Sequence, residues 1–148
     1  MTPSLRTAAI MERHTALLRA VVRLRRHQSV TVEDYLADED LQWLIERGLE
    51  RAAACVLDIG AHVLAILGQP VPDDYTAVID ALASAGILTA AFTRSFRAMA
   101  GFRNILVHEY LKIDPVVVVN VLHEHLDDFE AFDAQVLGAL RDRGLLKA

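Results

Sequence analysis

The segment GFRNILVHEY, residues 101–110, gathers a guanidinium (Arg103), an amide (Asn104), an imidazole (His108) and a phenol (Tyr110) in a stretch that otherwise reads as buried helix. Side chains advance about 100° per residue around a helix. Arg103 and Tyr110 therefore fall nearly in line two turns apart, and Asn104 and His108 stack one turn apart. The spacing puts all four on one polar strip, with Ile105, Leu106 and Val107 free to face a core. The residue types define a chemistry. Arginine is always charged and can fork onto a phosphate. Histidine as a residue type titrates near neutral pH and can move protons. Tyrosine can donate to a ligand or stack on it, and asparagine can orient an imidazole or bind an oxygen. The set suits transesterification at an RNA phosphate. His108 would take the 2′-hydroxyl proton or deliver one to the leaving oxygen, and Arg103 would stabilise charge developing on phosphorus, with no metal or other cofactor needed. The same strip could equally be a capping or interhelical hydrogen-bond network.

Other polar residues are weaker candidates. Asp58 and His62, four apart in an apolar stretch, read either as a hydrogen-bonded pair on a helix flank or, for Asp58, as a group orienting His108 or Arg103. His123 and His125 of the HEH sequence point about 200° apart on a helix, which is poor geometry for one metal ion. Trp43 and Tyr35 could stack on bases, though burial in the bundle or at a dimer seam is the simpler reading.

The elements that would position these groups follow from apolar spacing. A first helix is expected over Pro3–Arg26, with Ile10, Leu17, Val21 and Leu24 on one stripe. A second runs from Glu33 or Asp38 to Leu67, with Leu41, Ile45, Leu49, Ala52, Val56, Ile59, Val63 and Ile66 inward, and ends before Gly68, Pro70 and Pro72. A short third spans Asp74–Ala85, closed by Gly86. A fourth runs from Thr89 to Tyr110. A fifth opens with Asp114 as N-cap and Pro115 at its first position and continues to Leu140. No strand alternation competes, even at VVVV (116–119). The expected architecture is all-α: an antiparallel four-helix bundle with one additional short helix, as a single domain over residues 1–148.

The 148 residues suit one core, and 53% hydrophobic with only 6% aromatic content fits compact helical packing. Residues 52–67, the longest strongly apolar stretch, are interrupted by Asp58, Gly60 and His62, which argues against a membrane span. The N-terminal residues have no apolar signal core, so a cytoplasmic location is expected. The single cysteine, Cys55, excludes an internal disulfide framework and reads as a small core residue. The net charge of −5 argues against a broad nucleic-acid-coating surface, but the charge is uneven. Residues 1–30 carry six arginines against Glu12 alone, and residues 124–133 carry five acids with no Lys or Arg. These are either solvated helix faces or, for the first helix, a basic patch for RNA or an acidic partner.

RNILVHEY fits the R-x4-H-x-Y signature of the HEPN-domain ribonucleases, with Asn104 directly after the arginine. Residues 34–65, 71–88 and 99–114 resemble, in order, the second helix, the short connecting helix and the motif helix of that superfamily's HepT-like branch. The resemblance covers about residues 30–135. It implies an all-α HEPN-like homodimer whose motif helices meet across the interface, forming one RNA-cleaving cleft with Arg and His from both subunits. It implies a metal-independent endoribonuclease that is the toxin of a toxin–antitoxin pair. The implied partner is a cognate minimal nucleotidyltransferase antitoxin (MntA-like), which neutralises the toxin by attaching AMP to Tyr110. Arg103 and His108 would be catalytic, Asn104 and Asp58 supporting. The competing reading is a catalytically silent helical bundle that only binds a nucleotidyltransferase.

Overall fold

The computed structural model describes residues 2–147, and among these all regular structure is helical. The helices are α1 (Pro3–Arg25), α2 (Val32–Ala37), α3 (Glu39–Ile66), α4 (Tyr75–Ser84), α5 (Ala90–Phe96), α6 (Ala98–His108), α7 (Pro115–Glu124) and α8 (Leu126–Asp142), with a 3₁₀ turn at Tyr110–Lys112 between α6 and α7.

The apolar stripes anticipated from spacing are the ones that pack. Ile10, Leu17, Val21 and Leu24 of α1, Ile45 through Val63 of the α3 stripe, and Val118, Leu122, Leu126, Phe129, Val136 and Leu140 are all buried in one continuous core. Phe96 of α5 stacks on Phe132 of α8 at 5.5 Å between ring centroids and meets Phe129 edge-on at 6.3 Å. Cross-helix pairs give the direction of packing. Leu24 lies against Gly48, Arg13 against Asp58 and Arg6 against His62, so α1 and α3 run antiparallel. α1 and α8 are likewise antiparallel, through His14–Asp133 at one end and Arg25–Asp127 at the other. No helix of the described residues is long and apolar enough to cross a membrane.

Two of the four long helices expected from spacing are interrupted, and the second opens at the later of its two expected starts. Asp38 leaves helical geometry (φ −135°, ψ 103°) and its carboxylate accepts from the backbone N–H groups of Asp40 and Leu41, so it caps α3 and separates it from α2. α5 and α6 meet at Arg97, which keeps helical φ and ψ while its guanidinium pairs with Asp80 of α4 at 2.9 Å. His125 (φ −122°, ψ 2°) divides α7 from α8. Apolar periodicity continues through the junctions at Arg97 and His125 because the core continues, so spacing alone cannot register the breaks. Other anticipated ends hold, except that the fourth helix stops at His108 and not at Tyr110. Asp114 caps α7 with Pro115 at its start, and Asp74 caps α4. Gly68 (φ +70°) and Gly86 (φ +77°) terminate α3 and α4 in the left-handed region that glycine adopts without steric cost.

Candidate functional site

α6 is a short helix seated on α3 and α4. Ala100, Phe102 and Leu106 are its buried residues, and Met99 and Ala100 pack against Ala53, Val56 and Leu57 of α3. Arg103 flanks that buried face on the α4 side, whereas His108 lies on the far side of the helix. Arg103 is half-buried, and its guanidinium carbon lies 4.3 Å from the centroid of the Tyr75 ring at the start of α4, a cation–π contact. Its Nη1 donates to Asn104 Oδ1 at 3.4 Å, while Nε is buried with no partner. Asn104 thus touches the arginine rather than the imidazole. His108 ends the helix, exposed to solvent. The side-chain bonds of segment 103–112 are Arg103 to Asn104 and Lys112 to Glu109 (3.6 Å), and among the described residues none engages the His108 ring or the Tyr110 hydroxyl.

One expectation needs correction. Tyr110 is not in line with Arg103 along a helix. The helix stops at His108, Glu109 turns the chain (φ −128°, ψ 40°), and Tyr110 begins the 3₁₀ turn, 66% exposed. Its neighbour Leu111 is 88% exposed, and Val116 and Val117 are exposed just beyond. The motif therefore opens onto solvent beside an uncovered apolar corner. Chemically it offers a cation held at mid-helix and an unengaged imidazole at the helix end, about 140° apart around the axis.

Residues 17–136 match the family model described as ribonuclease HepT-like. The chain belongs to the HepT-like ribonuclease family. It is similar to the mRNA nuclease HepT of Shewanella oneidensis, with 30% identity over 95 residues that span 64% of this chain and 71% of the relative. It is also similar to the tRNA nuclease HepT of Aphanizomenon flos-aquae, with 29% identity over 114 residues, 76% of this chain and 77% of the relative. Among solved structures, it is similar to a tri-AMPylated HEPN toxin from Shewanella oneidensis in complex with MNT antitoxin. That likeness has a TM-score of 0.77 and 25% identity, covering 86% of this chain and 95% of that one.

In this HepT-like chain the second group of candidates sits elsewhere. Asp58 contacts neither motif side chain. Its carboxylate accepts from Arg13 Nε of α1 at 3.4 Å, so the anticipated support of His108 or Arg103 is not made within the chain. His62 does not bond Asp58 either; its Nδ1 lies 3.5 Å from Arg6 Nη1. Burial, then the positive charges of Arg13 and Arg6, push the His62 pKa below the ordinary value, against a smaller opposing pull from Asp58. Burial, then the charge of Asp58, push the half-buried Cys55 thiol up, against smaller opposing pulls from Arg13 and Arg51. His123 bonds the Val30 carbonyl oxygen at 2.8 Å, tying α7 to the loop between α1 and α2, and His125 pairs locally with Asp128 in the first turn of α8 at 2.9 Å. Tyr35 is buried and donates to Glu46, whereas Trp43 is 79% exposed and not part of the core. Tyr75, the aromatic partner of Arg103, was not a sequence candidate. Nothing in linear spacing connects it to a motif on another helix.

Proposed function

We propose that this chain is a metal-independent endoribonuclease, the toxin of a toxin–antitoxin pair, acting through Arg103 and His108. The imidazole of His108 takes the proton of a ribose 2′-hydroxyl. That oxygen attacks the adjacent phosphorus, the bond to the 5′-oxygen breaks, and the 5′-oxygen receives a proton as a 2′,3′-cyclic phosphate forms. Arg103 stabilises the charge spread over the phosphoryl oxygens. Its orientation is set by the Tyr75 ring and Asn104. The observation that carries this reading is the contrast between the two groups: the arginine is clamped against Tyr75, and the imidazole is exposed and unbonded.

The working unit is a homodimer with the cleft at its interface. The exposed Leu111, Val116 and Val117 beside the motif support this, because an apolar corner of that kind is buried by a partner surface. Tyr110 is the site of AMP attachment by a cognate minimal nucleotidyltransferase. Its exposure on a turn gives such an enzyme access to the hydroxyl, and a bulky anion there would obstruct RNA at the neighbouring His108. The comparisons that support this reading are those with nucleases and with an AMPylated toxin bound to its antitoxin.

The test is to incubate the purified protein with total RNA in EDTA, alongside His108→Ala. Cleavage by the first and not the second is the expected outcome. Cleavage by both, or by neither, would contradict the catalytic assignment, and inactivity of both together with tight binding of the nucleotidyltransferase would favour the silent binding module.

A further inference from the structure

We propose that the arginine-lined groove between α1 and α3 is a second RNA-binding surface, one that holds the phosphodiester backbone and an unpaired base away from the Arg103–His108 motif. The proposal rests on the ribonuclease reading for the identity of its ligand. The groove is open to solvent, with a volume of about 1180 Å³. Arg19 and Arg23 of α1 and Arg26, which caps that helix in helical geometry, line it at spacings of four and three that put them on one stripe. Arg47 and Arg51 line it from α3, one turn apart and about 6 Å along the axis.

The cations are largely unneutralised. Among the described residues, Arg47 pairs with Glu50 at 3.0 Å, and no carboxylate lies within ion-pair distance of Arg19, Arg23, Arg26 or Arg51. Asp58, the carboxylate lining the groove, is matched by Arg13. This happens in a chain with a net charge of −5. The acids are spent elsewhere: Arg25, on a different side of α1, bonds both Asp127 and Glu130. Four free guanidinium groups facing one channel repel each other in the absence of an anion, and a polyanion relieves that repulsion.

Trp43 selects among polyanions. It precedes Arg47 by one turn on the same stripe of α3 and is 79% exposed. A ring heading a row of cations is the pairing used to hold single-stranded nucleic acid, with bases stacked on the aromatic and the backbone tracked by positive charge. An acidic protein would satisfy the arginines but would have no base to place on the indole. The surface is separate from the motif. α6 packs on α3 through Ala53, Val56 and Leu57, and Arg51 lies about 120° around the helix from Leu57. The groove therefore contributes affinity, not chemistry.

The experiment compares the full-length chain with Arg19→Glu/Arg23→Glu/Arg51→Glu and with Trp43→Ala. These side chains are exposed, and matching melting temperatures establish that the variants fold. Binding of an unstructured 30-nucleotide RNA is read by fluorescence anisotropy in the His108→Ala background, at low and high salt. Steady-state cleavage is read with His108 intact. The proposal expects the charge reversal to weaken binding at least tenfold at low salt and to flatten the salt dependence, and Trp43→Ala to weaken binding several-fold. Cleavage should show KM raised to match with kcat within about twofold. Unchanged RNA affinity in both variants, with wild-type cleavage intact, would overturn the groove while leaving the nuclease reading standing. So would reversal that impairs only the association with the nucleotidyltransferase, which would make the groove a protein-docking surface. Salt-dependent binding lost in the reversal, in a protein that never cleaves, would support the groove and overturn the nuclease.

Discussion

The guanidinium of Arg103 rests 4.3 Å from the centre of the Tyr75 ring, so the motif arginine of α6 is held in place by the first residue of α4. With Nε buried and Nη1 on Asn104, this contact restricts where the charge can point. A cation over an aromatic face contributes roughly 0.5–2 kcal/mol depending on solvent exposure. Tyr75→Leu should therefore lower kcat for RNA cleavage on the order of tenfold, while Tyr75→Phe, which keeps the ring, should stay close to wild type. Equal loss in both variants would assign the effect to the hydroxyl and not to the stacked charge.

The duties proposed for Tyr110 and His108, two residues apart, differ, and a conservative change separates them. Tyr110→Phe should keep RNA cleavage within a few-fold of wild type and lose all AMP incorporation when incubated with the nucleotidyltransferase and radiolabelled ATP. Residual label on the variant would place the modification on another residue.

The depressed His62 pKa gives a pH dependence of defined sign. Below the ordinary histidine value of 6.5, the unfolded chain takes up a proton that the folded chain resists, because burial, Arg13 and Arg6 disfavour the imidazolium. The associated stability is intact above pH 6.5 and declines as the pH falls through that value toward the depressed one. His62→Gln should flatten the difference between urea midpoints measured at pH 7.5 and pH 5.5. An unaltered difference would show that His62 is not linked to folding.

Two helical glycines should respond to alanine in opposite directions. A methyl group at Gly60 would sit 2.9 Å from Val78 Cγ1 and 3.1 Å from Leu82 Cδ1, both on residues locked in the core. Gly60→Ala should destabilise by about 1–3 kcal/mol from overpacking. At Gly138 nothing lies within 4 Å of the added carbon, and Gly138→Ala should stabilise by up to about 1 kcal/mol through helix propensity. Denaturant midpoints check both.

The architecture was legible where burial and periodicity coincide. The stripes of α1, α3 and α8 are set by which residues are apolar, and the caps at Asp74 and Asp114 by side chains that bond their own helix starts. The breaks at Arg97 and His125 were not, because the core runs on across them, while Asp38 was one of two starts the sequence offered for α3. The motif was legible in composition, since Arg103, Asn104 and His108 share one helix. Its surroundings were not: Tyr75, and the Arg13 that claims Asp58, come from other helices, and pairing across helices leaves no trace in linear spacing. The helix end at His108 also escaped, which displaced Tyr110 from the expected column.

The chemistry assigned to His108 requires a ribose 2′-hydroxyl at the scissile linkage. The most direct measurement therefore compares an RNA that the protein cleaves with the same sequence fully 2′-O-methylated, both in EDTA, with product ends identified by mass spectrometry. The expected result is cleavage of the unmodified RNA alone, with 2′,3′-cyclic phosphate ends that disappear in His108→Ala and Arg103→Ala. Cutting of the methylated strand, or ends bearing a 5′-phosphate and a free 3′-hydroxyl, would contradict it.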